Sequence, residues 1–253
     1  MAKVLAVVNQ KGGVAKTTTA VNLSAALSME GKKALLIDID PQGNATSGVG
    51  VEKKKGMRCI YDWLINDIPF DNVCQKTQVE GLMVLPATIQ LAGAEVELVP
   101  LVNREKLLKR ALDKVKGRFD YVLIDCPPSL GLLTLNALAA ADGVLIPVQC
   151  EYYALEGLGQ LINTIELVKK HLNTNLVVFG TLLTMLDART NLSSQVAEEV
   201  RNFFKEKTFD QPIFRNVRLS EAPSFGLPIH LYDPKSKGAE QYKKVALEVI
   251  ARG

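Results

Sequence analysis

Residues 4–18 read Val-Leu-Ala-Val-Val-Asn-Gln-Lys-Gly-Gly-Val-Ala-Lys-Thr-Thr, and the fold follows from this stretch. Its first five residues form an unbroken apolar run of the kind that fills a strand covered on both faces in a parallel sheet. Two glycines allow a tight turn, and a helical pattern follows over residues 16–29. A strand that turns through glycines into a helix aims successive backbone N–H groups, and the positive end of the helix dipole, at one point. That point suits phosphate. Lys16 is placed to reach β- and γ-phosphates and the Thr17 hydroxyl to sit on Mg²⁺. A plain strand–helix turn would need neither group there.

Outward from this loop the chain alternates. Apolar runs at residues 33–39, 121–125, 143–148 and 176–183 read as further strands, and helical periodicity covers residues 104–115, 155–171, 191–204 and 238–251. This rhythm predicts an α/β fold, a doubly wound and mostly parallel sheet with helices on both faces, of the P-loop NTPase kind. No repeat or linker divides the chain, so residues 1–253 are expected to form a single domain. Residues 41–56 and 211–237 read as loop-rich, the second holding four of the eleven prolines. In such sheets ligands gather at the carboxyl ends of the strands, where all of these motifs fall.

Two of those ends carry acids. Residues 37–44 read Ile-Asp-Ile-Asp-Pro-Gln-Gly-Asn, so Asp38 and Asp40 face the same way if the strand continues that far. Residues 123–129 read Leu-Ile-Asp-Cys-Pro-Pro-Ser, and Asp125, closing an apolar strand, is placed as a Walker B aspartate is to hold Mg²⁺. A buried aspartate capping a turn is the alternative for each taken singly; the neighbouring phosphate loop argues for the metal.

Composition sets the bounds. The 253 residues are 47% hydrophobic and 23% charged, with a net charge of +3, an ordinary globular balance that permits a nucleic-acid partner without indicating one. The four cysteines, Cys59, Cys74, Cys126 and Cys150, show no CxxC spacing, which argues against a zinc site or a disulfide framework. The longest nearly apolar stretch, residues 176–186, is short of the roughly 18 needed for a membrane span, and no signal peptide is recognisable; a cytoplasmic protein is expected. His171 and His230 stand alone and read as surface or packing residues, Trp63 as core. Gly48-Val49-Gly50 lacks the third glycine of a dinucleotide fingerprint.

The standard G-x-x-x-x-G-K-[ST] loop would place glycine at Gln10 and Ala15. Instead residues 11–17 read KGGVAKT, with a second lysine, Lys11. This resembles the deviant Walker A motif, KGGxxK[ST], of the ParA/MinD family. DIDPQGNATSG (38–48, from the second strand) resembles that family's switch I, and LIDCPPSLG its Walker B and switch II. MLDARTNLSSQV and RNVRLSEAPSFGLPIHLYDPKSKGAEQY are similar to the C-terminal half of the chromosomal ParA proteins known as Soj. The resemblance covers the whole chain.

It implies an ATPase with ATP and Mg²⁺ as cofactors, hydrolysing slowly and stimulated by its partner and by DNA. Two subunits sandwich two nucleotides as a homodimer, and the signature lysine, here Lys11, crosses to the partner's nucleotide. Nucleotide contacts would come from Lys11, Gly12, Gly13, Val14, Ala15, Lys16, Thr17 and Thr18, with Phe214, Arg215 and Asn216 near the adenine. Lys11, Lys16 and Asp40 would be catalytic, Asp40 positioning the attacking water; Thr17, Asp125 and Asp40 would serve the metal. Phosphoryl transfer is largely positioning and charge neutralisation, so a lysine supplied in trans can couple hydrolysis to dimerisation.

From Thr184 onward eleven Lys/Arg stand against nine Asp/Glu, a balance that by itself reads as a solvated mixed-charge surface. The resemblance adds sequence-nonspecific binding of double-stranded DNA through Arg189 and Arg218; Lys235, Lys237, Lys243 and Lys244 join them by clustering. It further implies a ParB-type partner, a nucleoid location, and a replication initiator among the regulated partners of some Soj proteins. No helix-turn-helix extension is recognisable before the first strand. A MinD-like membrane-surface ATPase is the first alternative, but it needs a basic amphipathic C-terminal helix, whereas this sequence closes LEVIARG; no membrane partner is expected. A metabolic ligase of the dethiobiotin synthetase type is the second.

Overall fold

The computed structural model describes residues 2–151 and 156–253. The strands are β1 (Lys3–Val7), β2 (Ala34–Asp38), β3 (Gln75–Lys76), β4 (Leu82–Leu85), β5 (Tyr121–Asp125), β6 (Gly143–Gln149) and β7 (Val177–Thr184). The first eight helices are α1 (Lys16–Met29), α2 (Asn44–Gly48), α3 (Ile60–Leu64), α4 (Leu91–Glu97), α5 (Leu107–Asp113), α6 (Leu132–Ala140), α7 (Glu156–His171) and α8 (Asn191–Phe204). Three more follow: α9 (Val217–Glu221), α10 (Ile229–Tyr232) and α11 (Lys237–Arg252).

Among the described residues the strands make one seven-stranded sheet in the order β3-β4-β2-β5-β1-β6-β7. All pairings are parallel except that of β3 with β4, which closes one edge antiparallel. Side chains alternate along each strand, and the sheet sorts them into two cores. Val4, Ala6, Ile37 and Ile124 face a core shared with α3 to α8, while Leu5, Val7, Leu36 and Leu123 face one shared with α1, α2 and α9 to α11. The doubly wound reading is therefore correct.

The differences have local causes. The second strand stops at Asp38 rather than Ile39, because the Asp38 carboxylate turns back to accept the Asp40 N–H (3.1 Å); Asp40 lies beyond the strand, so the one-face argument does not apply to it. Residues 41–56 contain α2, and residues 211–237 contain α9, a 3₁₀ turn at Ala222–Phe225, and α10. Arg104–Lys106 is a 3₁₀ turn leading into α5. The expected helix start at residue 155 lies outside the described residues, while α7 ends at His171 as expected. The sequence reading omitted the short elements β3, β4, α3 and α4, and also α6, which is apolar nearly all round and so shows no amphipathic period.

Candidate nucleotide-binding site

The glycine loop leaves the centre of the sheet and is fastened from both sides. Asn9 Nδ2 donates to the Pro147 carbonyl at the end of β6 (2.7 Å), and its Oδ1 accepts the Lys11 N–H (3.0 Å). Across the loop, Thr184 Oγ1 at the end of β7 donates to the Val14 carbonyl (3.1 Å). Gly13 takes φ +73°, and a Cβ at Gly12 or Gly13 would meet nothing within 4 Å, so the inner side of the turn is open. Ala15 stands in the left-handed region at φ +67° as the residue before α1. Lys16 is buried with its Nζ donating to the Lys11 carbonyl (2.8 Å). Burial lowers the pKa of its ammonium, against the opposing pull of Asp125, Cys126 and Asp40, which puts those groups around one amine.

The acids differ sharply in surroundings. Parallel register sets Asp125 beside both Val7 and Asp38, at the mouth of the loop. Asp38 is satisfied: its Oδ2 accepts the Thr46 N–H (2.8 Å) and Oγ1 (2.7 Å), and Thr46 Oγ1 in turn accepts the Ala87 N–H (2.9 Å). Burial raises its pKa to about 6 although the Thr46 bonds oppose the rise. Asp38 is thus an anchor for α2. Asp40 keeps a little exposure and spends Oδ1 on the Gln42 N–H (2.9 Å). Asp125 is fully buried, and neither carboxylate oxygen has a hydrogen-bond partner among the described residues. Burial first, then the charge of Asp38, holds its pKa well above the usual carboxylate range; the Thr17 hydroxyl and the Lys16 ammonium pull the other way. An unpartnered buried carboxylate is costly unless a cation reaches it, and with the Thr17 hydroxyl it offers the hard oxygens that suit Mg²⁺.

Beside the loop opens a cavity of about 390 Å³. Ala15 and Thr18 line one side, Thr184 and Met185 another, and Phe214, Arg215 and Asn216 a third, so the segment assigned to adenine by resemblance borders the same space as the loop. The bridge between Leu186 and Phe214 holds that segment against the end of β7. Tyr242 of α11 also lines the cavity, its hydroxyl 3.2 Å from Thr19 Oγ1.

The chain matches the AAA domain family over residues 2–178. It is 63% identical over 253 residues, covering the whole of both chains, to the sporulation initiation inhibitor protein Soj of Bacillus subtilis (strain 168). The chain belongs to the Soj/ParA family. With the chromosome partitioning protein ParA of Myxococcus xanthus (strain DK1622) it shares 56% identity over 250 residues, 99% of this chain and 88% of that one. A solved structure of cobyrinic acid a,c-diamide synthase from Mycobacterium smegmatis with bound ATP analog and magnesium superposes with a TM-score of 0.87 at 42% identity, covering 99% of this chain and 95% of that one. The cell division ATPase MinD of Pyrococcus furiosus covers all of both chains with a TM-score of 0.83 at 26% identity. Membership makes this Soj/ParA protein a P-loop ATPase. Among its described residues no helix is long and apolar enough to cross a membrane.

The six cations expected at DNA from the resemblance and from their clustering are exposed but mostly engaged. Arg189 is gripped by Asp187 through Nε (2.9 Å) and Nη2 (2.7 Å), which raises the arginine pKa and lowers that of the acid. Arg218 pairs with Glu221 (3.0 Å) and Asp233 (3.5 Å), Lys243 with Glu30 (3.4 Å) and Lys244 with Glu240 (2.7 Å). Lys235 and Lys237 lie just before and at the start of α11. Arg189 and Arg218 follow closely on the two bridged segments that line the cavity. Sequence reasoning missed Thr184, Met185 and Tyr242 at the site, and Glu151 beside Lys11. Thr184 and Met185 directly follow a recognised strand run, which is a usable signal; nothing local marks Tyr242.

Proposed function

We propose that this Soj/ParA family member is a chromosome-partitioning switch. ATP binding drives two copies into a sandwich homodimer, and the dimer binds double-stranded DNA without sequence preference and so associates with the nucleoid in the cytoplasm. A ParB-type partner then stimulates hydrolysis and resets the chain to a monomer. A replication initiator is a further candidate for regulation by the same switch. The observation that carries the ATPase core of this reading is Asp125: a fully buried carboxylate without a hydrogen-bond partner among the described residues, level with the phosphate loop, fits a cation brought in with the nucleotide. The Soj and ParA relatives support the cellular role.

In this reading Thr17 and Asp125 would hold Mg²⁺, with Asp40 close by, and the metal would supply neutralisation of charge on the phosphates. The loop N–H groups and Lys16 bind the β- and γ-phosphates, Asp40 orients the attacking water, and Lys11 reaches the partner's nucleotide. Phe214, Arg215 and Asn216 border the base. ATP favours the dimer by its differential affinity, since it contacts both subunits only there. Doubling the Arg189 and Arg218 surface in the dimer multiplies the phosphate contacts and steepens the salt dependence.

The test is a titration on a random-sequence duplex with ATP, with ADP and without nucleotide, at two salt concentrations. Binding with ATP alone, weakened by salt and indifferent to sequence, is expected; absence of binding in every state would remove the partition reading. Arg189→Glu is expected to abolish DNA binding and spare ATP-dependent dimerisation, measured by light scattering. A second reading, an ATP-dependent synthase, is favoured by the 42% identical diamide synthase structure. Substrate-dependent ATP turnover without dimerisation would select it.

A further inference from the structure

Between the two halves of the site stands a carboxylate that none of the roles above uses. Glu151 lies two residues beyond β6 and is about half exposed. Its Oε2 is 3.8 Å from Lys11 Nζ, and its Oε1 is 3.6 Å from Arg215 Nη2. Oε1 also accepts a hydrogen bond from Gln149 Nε2 (2.6 Å), which orients the carboxylate. The two ion pairs are longer than hydrogen bonds, so they are electrostatic and easily exchanged. Lys11 belongs to the phosphate loop, and Arg215 lines the cavity beside it. Lys16, by contrast, is buried and already donates to the Lys11 carbonyl.

We propose that Glu151 stands in for the nucleotide's phosphates: before nucleotide binds it neutralises Lys11 and Arg215, holds Lys11 against its own subunit, and is displaced when nucleotide enters. The inference rests on the nucleotide reading of this site. A di- or triphosphate lying between loop and cavity brings several negative charges to the two cations that Glu151 balances. Like charges so close repel, and one anion must yield. Displacement then releases Lys11 from its own subunit at the moment the site fills, which links occupancy to the availability of that lysine for a second copy. A carboxylate on a single rim cation could not do this; Glu151 touches one cation from each half of the site.

The experiment is equilibrium binding of fluorescently labelled ADP with Mg²⁺ to the full chain and to Glu151→Gln, at low and at high salt. ADP is chosen because its binding does not require the dimer. The substitution removes the charge and keeps the shape, so ADP should bind about 3- to 10-fold more tightly at low salt, with a smaller gain at high salt. The gain should shrink in a Lys11→Ala background, where only the Arg215 pair is left, and Glu151→Asp, which keeps the charge, should return most of the way to the parent affinity. Thermal unfolding without nucleotide checks that each variant folds, with Glu151→Ser as the alternative should the glutamine variant not. A merely structural glutamate would give weaker ADP binding on substitution; weaker or unchanged binding in the charge-removing variant overturns the inference alone. A parent chain that binds no ADP overturns the nucleotide reading and the inference with it.

Discussion

Ala15 is the residue on which the phosphate loop spends conformational energy. It stands at φ +67°, ψ 33°, a left-handed conformation that costs a residue bearing a Cβ about 1–2 kcal/mol relative to its preferred state. Ala15→Gly should relieve the strain while adding backbone entropy to the unfolded chain, so the net gain is expected at about 0.5–1 kcal/mol in urea unfolding without nucleotide. An unchanged or lowered midpoint would mean that loop contacts already absorb the strain. His230 offers a pH test. It is buried, and burial pulls its pKa from 6.5 down to about 4; a backbone hydrogen bond with Ala239 and the charge of Glu30 oppose that shift and Lys243 adds to it. The unfolded chain therefore takes up a proton that the folded chain refuses. Stability from this group is full above pH 6.5 and drains as pH falls towards 4, by up to about 3 kcal/mol. Replacing His230 by Gln should flatten that part of the stability–pH curve, whatever it does to stability at neutral pH. At the reacting centre, Lys16→Ala should abolish nucleotide binding, and Asp40→Ala should leave an ATP-bound dimer persisting on DNA, read as retained complex after excess ATP is removed.

At the scale of elements, the segment after β2 is held by a chain of hydrogen bonds. Asp38 receives Thr46, Thr46 receives Ala87, and α2 is thereby fixed against the end of β4. Gly43 starts α2 at φ +63°, and a Cβ there would come 2.7 Å from the Ala87 carbonyl oxygen, a backbone atom without room to retreat. Gly43→Ala should cost about 2–4 kcal/mol and displace the Asp40 turn, so ATP turnover should fall further than ADP affinity. These elements also mark how far a sequence can be read. β1, β2, β5, β6 and β7 were visible because a parallel strand covered on both faces is apolar without interruption. β4 has only four residues, and α6 is nearly apolar all round, so neither carries a period to detect. Lys11, Lys16 and Asp125 were legible because the loop and the strand ends are continuous in sequence. Of the cavity, the Ala15 and Thr18 side was legible from the loop motif and the 214–216 wall through resemblance. Its other walls come from the end of β7 and from Tyr242, which approach one another through packing of α11 on α1 rather than through any local pattern.

For the whole molecule, the sheet order places β1 between β5 and β6, so the loop that follows it is shaped by strands more than a hundred residues further along the chain. Removing everything after residue 142 would leave β1 without β6 and the Asn9 side chain without the Pro147 carbonyl. Such a fragment should be sensitive to protease and unable to bind nucleotide, even though it contains Lys11, Lys16, Asp40 and Asp125. A protease-resistant, nucleotide-binding fragment would show that β6 does not shape the loop.

The same order has a consequence on the ribosome. β1 leaves the exit tunnel first, yet both of its neighbours in the sheet are made more than a hundred residues later. At roughly 5–20 residues per second, an apolar strand waits on the order of ten seconds before it can be enclosed. Nascent chains stalled before β5 should therefore expose Val4 to Val8 to chaperones, and the phosphate loop should gain its shape only late in translation.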